Sequence, residues 1–162
     1  MRIQQFQVTL VEQTRKQLPR ALRNFDVRSF FTVVKISYTH PKVHYEVWVR
    51  GKEHLVETGL HFEADKETND ALLAFFNERA LQVHAELGPR IEIERWTNSW
   101  SRVHQVVPYE SLDPALVEML AESLARMIVV LQPMLNEFWN PRSARKKALT
   151  GHSSTASARR SP

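Results

Sequence analysis

Apolar residues recur at helical spacing near the beginning of the chain, within residues 2–18. They are Ile3, Phe6, Leu10 and Val11. Because the positions between them are mostly polar, this spacing predicts an amphipathic helix with one buried face. The helix should end near Pro19, since proline disfavours helix in the residue before it. Residues 20–28 are then expected to form a connection.

Three segments after this connection have the character of β-strands. They span residues 30–38, 43–50 and 55–63. The first is rich in β-branched and aromatic residues, and the other two alternate apolar with polar positions. Because only short turns separate them, neighbouring strands are predicted to pair antiparallel.

The second half of the chain begins with a helical stripe of apolar residues that predicts one helix over residues 65–87. Asp65 suits the helix cap, and Gly88 suits the position past the helix end. Two further strands are predicted at residues 90–96 and 100–107, joined by a three-residue turn.

The last predicted helix begins at Asp113 and Pro114, because Asp caps helices and proline favours the first helical position. Apolar residues at core spacing continue the helix towards Phe138. Pro133 lies within it and is expected to kink it.

The element order is therefore α-β-β-β-α-β-β-α. It predicts an α+β domain over residues 1–140, with a five-stranded, mostly antiparallel sheet and its helices on one face. Residues 141–162 are rich in Ser, Ala, Thr, Arg and Lys, a composition typical of a disordered tail.

The two predicted hairpins place most of the tryptophans on one face of the sheet. With a four-residue loop at 51–54, Trp48 opposes Glu57 and His44 opposes His61. A two-residue loop would instead set Glu46 against Glu57, which is unfavourable. In the second hairpin, Glu94 opposes Arg102 and Glu92 opposes His104.

This face is the predicted binding surface, because Trp and Arg are enriched at protein interfaces. Its residues are Trp48, Arg50, His61, Glu94, Trp96, Trp100, Arg102 and His104. Two interpretations stay open. Either the face binds a partner or a second copy of the chain, or the tryptophans are covered within the monomer.

Charge is distributed unevenly along the chain. Residues 29–140 hold 10 bases against 16 acids, whereas residues 1–28 hold 6 bases against 2 acids. The tail holds six bases and no acid, and these are Arg142, Arg145, Lys146, Lys147, Arg159 and Arg160. A basic tail attracts nucleic acid weakly and without sequence choice. The high isoelectric point is therefore due to the basic ends of the chain, since the segment between them is acidic.

Known catalytic motifs are missing from the sequence. The chain has no cysteine and four glycines, which excludes thiolate metal sites, disulfides and a glycine-rich phosphate loop. No catalytic residue, metal or cofactor is predicted. His61 and Glu63 lie two apart on one strand, where a metal could use both, but surface residues of a half-exposed sheet are the favoured interpretation. The constellation to test for a proton shuttle or a metal comprises Glu57, His61, Glu92, Arg102 and His104.

Three stretches carry a resemblance to a known group of proteins. They read HYEVWVRG from His44, ETGLHFE from Glu57 and ELGPRIEIERW from Glu86. Together, over residues 43–105, they resemble uncharacterised bacterial domains that accompany restriction-type nucleases. This resemblance implies an accessory protein without the nuclease half. The element order alone is similar to that of type III secretion chaperones, which dimerise.

These observations predict a non-enzymatic, protein-binding or self-associating module that uses the Trp-rich sheet face. The alternative is a nucleic-acid-associated accessory protein that uses the basic N-terminal helix and the tail. No signal peptide and no membrane-spanning segment is evident. A cytoplasmic protein of bacterial type, without membrane contact, is therefore expected.

Overall fold

The computed structural model describes residues 1–141 of the chain. It is an α+β fold with four α-helices and one antiparallel sheet. The helices are α1 (Ile3–Gln17), α2 (Lys66–Asn77), α3 (Ala80–Leu87) and α4 (Pro114–Trp139), with a short 3-10 helix at Arg20–Leu22. The strands are β1 (Asp26–Phe30), β2 (Val33–Ser37), β3 (Val43–Arg50), β4 (Leu55–Phe62), β5 (Glu92–Arg95) and β6 (Ser101–Pro108).

Six strands form the sheet, in the order β1-β2-β3-β4-β6-β5. The prediction of five strands was wrong because β1 begins at Asp26, inside the predicted connection, and the predicted strand over residues 30–38 contains only β2 and the last residue of β1. A two-residue turn at Phe31 and Thr32 separates β1 from β2, with Phe30 paired to Val33. Phe31 takes a positive φ of 48°. This conformation favours glycine or asparagine, so an aromatic residue there shows no turn signal in the sequence.

The predicted order of elements was also wrong at the helix over residues 65–87. This segment forms two helices, α2 and α3, separated at Glu78 and Arg79. The apolar stripe continues on both sides of the break, with Phe76 and Val83 fully buried. Periodicity therefore shows the shared buried face but not the two-residue interruption.

The two predicted helix caps, Asp65 and Asp113, are confirmed. Asp65 accepts a hydrogen bond from the backbone N–H of Thr68 at 2.9 Å. Asp113 accepts one from the N–H of Leu116, also at 2.9 Å. Each carboxylate thus satisfies an N–H that the first helical turn leaves without a partner, as the sequence predicts.

The apolar face of the sheet carries the core of the first compact unit, residues 1–131. Its members alternate along the strands and are almost fully buried: Val34, Ile36, Tyr45, Val47, Val56, Leu60, Phe62 and Val103. Phe62 stacks on Phe76 of α2, with ring centroids 5.5 Å apart. Gln105 on the same face donates a hydrogen bond to Ser123 of α4. These contacts connect the apolar face to two helices.

The second compact unit begins at Gln132. Its described part, residues 132–141, continues α4 with Pro133 inside the helix. Gln132 donates a side-chain hydrogen bond to Asn136 at 3.1 Å, one turn further on. The basic residues of the predicted tail, from Arg142 onwards, lie outside the described residues.

We expect the substitution Phe62→Ala to lower the free energy of unfolding by about 3–5 kcal/mol, because it leaves a cavity beside Phe76. Urea denaturation followed by circular dichroism measures this change. Leu81→Ala is the matched control, since Leu81 is 89% exposed and should change stability by less than about 0.5 kcal/mol. Equal effects of the two substitutions would contradict the assigned core.

Candidate functional site

Polar side chains from five neighbouring strands converge on the second face of the sheet, which we call the polar face. The predicted hairpin registers are confirmed, since His44 pairs with His61 and Glu94 pairs with Arg102. Strand β4 also pairs with β6. The polar face therefore brings together residues from both hairpins: Lys35, His44, Glu46, Glu57, His61, Glu63, Glu92, Glu94, Arg102 and His104.

Glu57 lies at the centre of the polar face with only 2% of its side chain exposed. Arg102 Nη1 donates a hydrogen bond to Glu57 Oε1 at 2.7 Å. His61 Nε2 and His104 Nδ1 lie 3.4 and 3.5 Å from the same oxygen. Burial acts to raise the pKa of Glu57, but the His61 contact and the Arg102 charge outweigh it. The pKa is therefore lowered and Glu57 is an anion.

Arg102 connects Glu57 to the edge of the sheet. Its Nε and Nη2 donate to Glu94 Oε1 at 3.1 and 2.8 Å. His104 Nε2 lies 2.9 Å from the same oxygen and donates to it, because a carboxylate only accepts. Burial and the Arg102 charge lower the pKa of His104 despite the two glutamates nearby. Its imidazole is therefore held neutral near pH 7.

A second group of charges surrounds Lys35, on β2. Lys35 Nζ lies 2.8 Å from Glu63 Oε2 and 3.2 Å from Glu46 Oε2. His44 Nε2 lies 3.4 Å from that Glu46 oxygen. Burial acts to raise the pKa of Glu46, but the His44 hydrogen bond and the charges of His61 and Lys35 lower it overall.

His61 lies between the two groups and is fully buried. Its ring stacks on His44 with centroids 6.1 Å apart and meets Trp96 edge-on at 5.5 Å. Neither ring nitrogen makes a hydrogen bond to any residue in the described part of the chain. A buried polar atom without a hydrogen bond is costly, so His61 requires an explanation.

The tryptophans of the predicted binding surface contact arginines of the same chain. Arg50 lies over the Trp48 ring at 5.3 Å, and Arg102 lies over the Trp96 ring at 5.0 Å. Trp96 and Trp100 contact each other, with ring centroids 5.9 Å apart. Trp100 is the most exposed of the three, at 38%.

The structure thus joins six of the predicted surface residues by direct contacts, and Trp48, which pairs with Glu57, lies next to them on β3. The group of six is His61, Glu94, Trp96, Trp100, Arg102 and His104. Arg50 lies at the end of β3. The strand alternation already places His44, Glu46, Glu57 and Glu63 on this face, although the list of binding residues leaves them out. Lys35 on β2 was missed. The constellation of acids and imidazoles around Arg102 does converge.

Gly59 makes room for these side chains. It lies between Glu46 on β3 and His104 on β6. A Cβ atom at this position would lie 2.6 Å from His104 Cβ and 2.9 Å from the carbonyl oxygen of Val103. Only glycine therefore permits this close approach of the two strands.

The outer edge of β1 is a separate candidate surface. All five of its residues are exposed, and the strand pairs only with β2. At the turn beyond it, Phe31 is 92% exposed. Gln7 of α1, which is buried, donates hydrogen bonds to the carbonyl oxygens of Phe31 and Val33. The turn is therefore held in place while its aromatic ring extends into solvent.

Nothing matched this chain in comparisons with protein-family models, with curated proteins and with solved structures. The resemblances to nuclease-associated domains and to secretion chaperones therefore stay predictions. Within residues 1–141, no helix is long and apolar enough to cross a membrane.

We expect Gly59→Ala to lower the free energy of unfolding by about 1–3 kcal/mol, since the added methyl group overpacks the contact with His104. Gly51→Ala is the control. Its added Cβ would meet nothing nearer than Tyr109 Oη at 3.9 Å. Chemical denaturation of both variants measures the difference, and an unchanged stability of Gly59→Ala would contradict the close approach.

Proposed function

We propose that this protein is a non-enzymatic binding module that associates with a second copy of itself through the outer edge of β1. The observation that carries the proposal is that all five residues of Asp26–Phe30 are exposed along an unpaired strand edge. Such an edge presents backbone N–H and C=O groups that readily pair with another chain. Strand addition of this kind is a common mode of protein recognition.

Charge supports pairing with an identical strand. Arg28 is directly opposite Lys35 in the β1–β2 pair, and like charges facing each other destabilise a sheet. Within residues 1–141, no ion pair forms at Arg28 or Asp26. An antiparallel pair of β1 strands centred on Val27 would set Asp26 of each copy against Arg28 of the other. The register therefore places opposite charges at both ends of a symmetric contact.

Apolar residues on and beside β1 support the same surface. Val27 and Phe30 are 38% and 47% exposed, and Phe31 is more exposed than either. The positive φ of Phe31 is a strained conformation for an aromatic residue. Backbone strain is concentrated at functional sites, and exposed apolar patches often mark contact surfaces.

The Trp-rich part of the polar face is less suited to be the primary contact. Trp48 and Trp96 already contact arginines of their own chain, and His61 and His104 are buried. The self-association that the sequence predicts is therefore assigned to β1, at the opposite edge of the sheet from β5. Trp100 remains available to a further protein partner.

The alternative role with nucleic acid has less support in the described residues. Two of the N-terminal arginines stabilise local structure. Arg15 donates to the carbonyl oxygen of Arg23 and lies over the Phe25 ring. Arg23 donates to the carbonyl oxygens of Leu18 and Lys16. These side chains are thereby less available for phosphate contacts.

Charge reversal and its compensation test the β1 contact. We expect the wild-type chain to dimerise reversibly, as measured by size-exclusion chromatography with light scattering over a concentration series. Asp26→Arg should raise the dimer Kd roughly tenfold or more, because it sets two pairs of like charges against each other. The double substitution Asp26→Arg with Arg28→Asp should restore the dimer, since it exchanges the two signs.

Glu78→Arg is the matched control, because it makes the same change of net charge at an exposed position outside the sheet. It should leave the dimer unchanged. A wild-type chain that stays monomeric throughout the series would refute the proposal. A dimer that Asp26→Arg does not weaken would place the contact elsewhere.

A further inference from the structure

Three potential metal-ligating atoms meet beside Lys35, at one side of the polar face. His44, Glu46 and Glu63 each offer one such atom, and these atoms all lie within 4.8 Å of one another. His44 Nε2 lies 3.4 Å from Glu46 Oε2 and 3.8 Å from Glu63 Oε2. Ligands about 2.0–2.1 Å from a tetrahedral Zn²⁺ lie about 3.4 Å apart. The separations are therefore close to those of atoms that share one ion.

The strands hold this group in place. His44 and Glu46 are two residues apart on β3, so both side chains lie on the same face. Glu63 immediately follows β4, and its N–H donates to the carbonyl oxygen of Lys42 at 2.8 Å. Two His-x-Glu segments, one on each strand of a hairpin, thus direct their polar side chains to one place. Little rearrangement is needed to bring them onto an ion.

His61 is the second, independent observation. It is fully buried and both of its ring nitrogens are without a hydrogen bond. Its Nδ1 lies 3.9 Å from Glu63 Oε1, so the imidazole faces the same carboxylate that completes the group. A buried nitrogen without a hydrogen bond is therefore turned towards the group, as expected beside a site whose occupant is absent from the protein chain itself.

We infer that His44, Glu46 and Glu63 form a binding site for a divalent transition-metal ion, with the buried imidazole of His61 beside it. An imidazole and two carboxylates are a donor set that suits Zn²⁺ and its neighbours better than Mg²⁺ or Ca²⁺. The site extends the binding role of this face and is independent of the β1 contact. It also departs from the sequence-based expectation that the chain binds no metal.

Lys35 acts as an internal cation that competes for this site. Its ammonium group contacts both carboxylates, at 2.8 and 3.2 Å. The side chain is 22% exposed, so it has an open path to solvent when an ion enters. Metal affinity is therefore expected to be moderate in the wild type and higher when the ammonium group is removed.

A second group of possible ligands is less suitable for a metal ion. It comprises Glu92, Glu94 and His104. Its central oxygen, Glu94 Oε1, already accepts from two nitrogens of Arg102 and from His104. Glu92 has a 68% exposed side chain. This group therefore provides the matched control for the site around Lys35.

Titration of the tag-free full chain, first treated with a chelator, with Zn²⁺ and with Co²⁺ tests the site. Isothermal calorimetry gives the Zn²⁺ affinity, and the visible absorption of Co²⁺ reports tetrahedral coordination. We expect Glu63→Gln to weaken Zn²⁺ binding roughly 10- to 100-fold. Lys35→Met should tighten it about tenfold, because it removes the competing charge. Glu92→Gln should leave it unchanged.

A gain of affinity in Lys35→Met would distinguish a specific metal site from the effect of unfolding, because an unfolded variant does not bind the ion more tightly. Near-ultraviolet circular dichroism of each variant confirms the fold. Absence of binding in both the wild type and Lys35→Met would overturn the inference. So would binding that Glu92→Gln abolishes and Glu63→Gln leaves intact, because it would place the ion at the other group.

Discussion

The ion pair between Glu57 and Arg102 constrains the centre of the sheet. The two residues are 45 positions apart in the chain and lie on adjacent strands, with Glu57 almost completely removed from solvent. A buried carboxylate without a counter-charge is strongly unfavourable. Pairing of β4 with β6 must therefore place Arg102 on the polar face, and a slip of one residue would send it to the apolar face.

The rest of the polar face follows from this pair. Arg102 also binds Glu94, which in turn fixes His104, while Glu57 faces His61. A separate cation, Lys35, neutralises the carboxylates on the β2 side. The face therefore contains two charge groups with one unsatisfied imidazole between them. The proposed self-association at β1 and the inferred metal site beside Lys35 use different parts of the same sheet and can be tested independently.

Sequence patterns were sufficient for the strand pairings inside both hairpins. The predicted registers agree with the structure. They were chosen because they pair opposite charges, such as Glu94 with Arg102, and because they avoid setting Glu46 against Glu57. The β1–β2 turn was missed because Phe31 takes a positive φ without any glycine, asparagine or proline beside it. The break between α2 and α3 was missed because the apolar stripe continues across it.

Alternation alone could not determine how deeply the polar face is buried. It places His61, His104 and Glu57 opposite the apolar face, which favours exposure to solvent. The structure buries all three, since the side chains of the face cover one another and Trp96 contacts His61. Such mutual cover depends on contacts between β4 and β6, which are separated by two helices and β5 in the chain. Local patterns carry no information about it.

A double-mutant cycle on Glu57 and Arg102 tests most directly whether the buried pair organises the sheet. Glu57→Gln, Arg102→Met and the double variant would be compared with the wild type by urea denaturation. Arg102→Met should cost about 3–5 kcal/mol, because it leaves the Glu57 carboxylate buried without its counter-charge. Glu57→Gln should cost less, because Arg102 keeps its hydrogen bonds to Glu94. The double variant should cost less than the sum by more than about 1 kcal/mol. Additivity within about 0.5 kcal/mol would contradict the account.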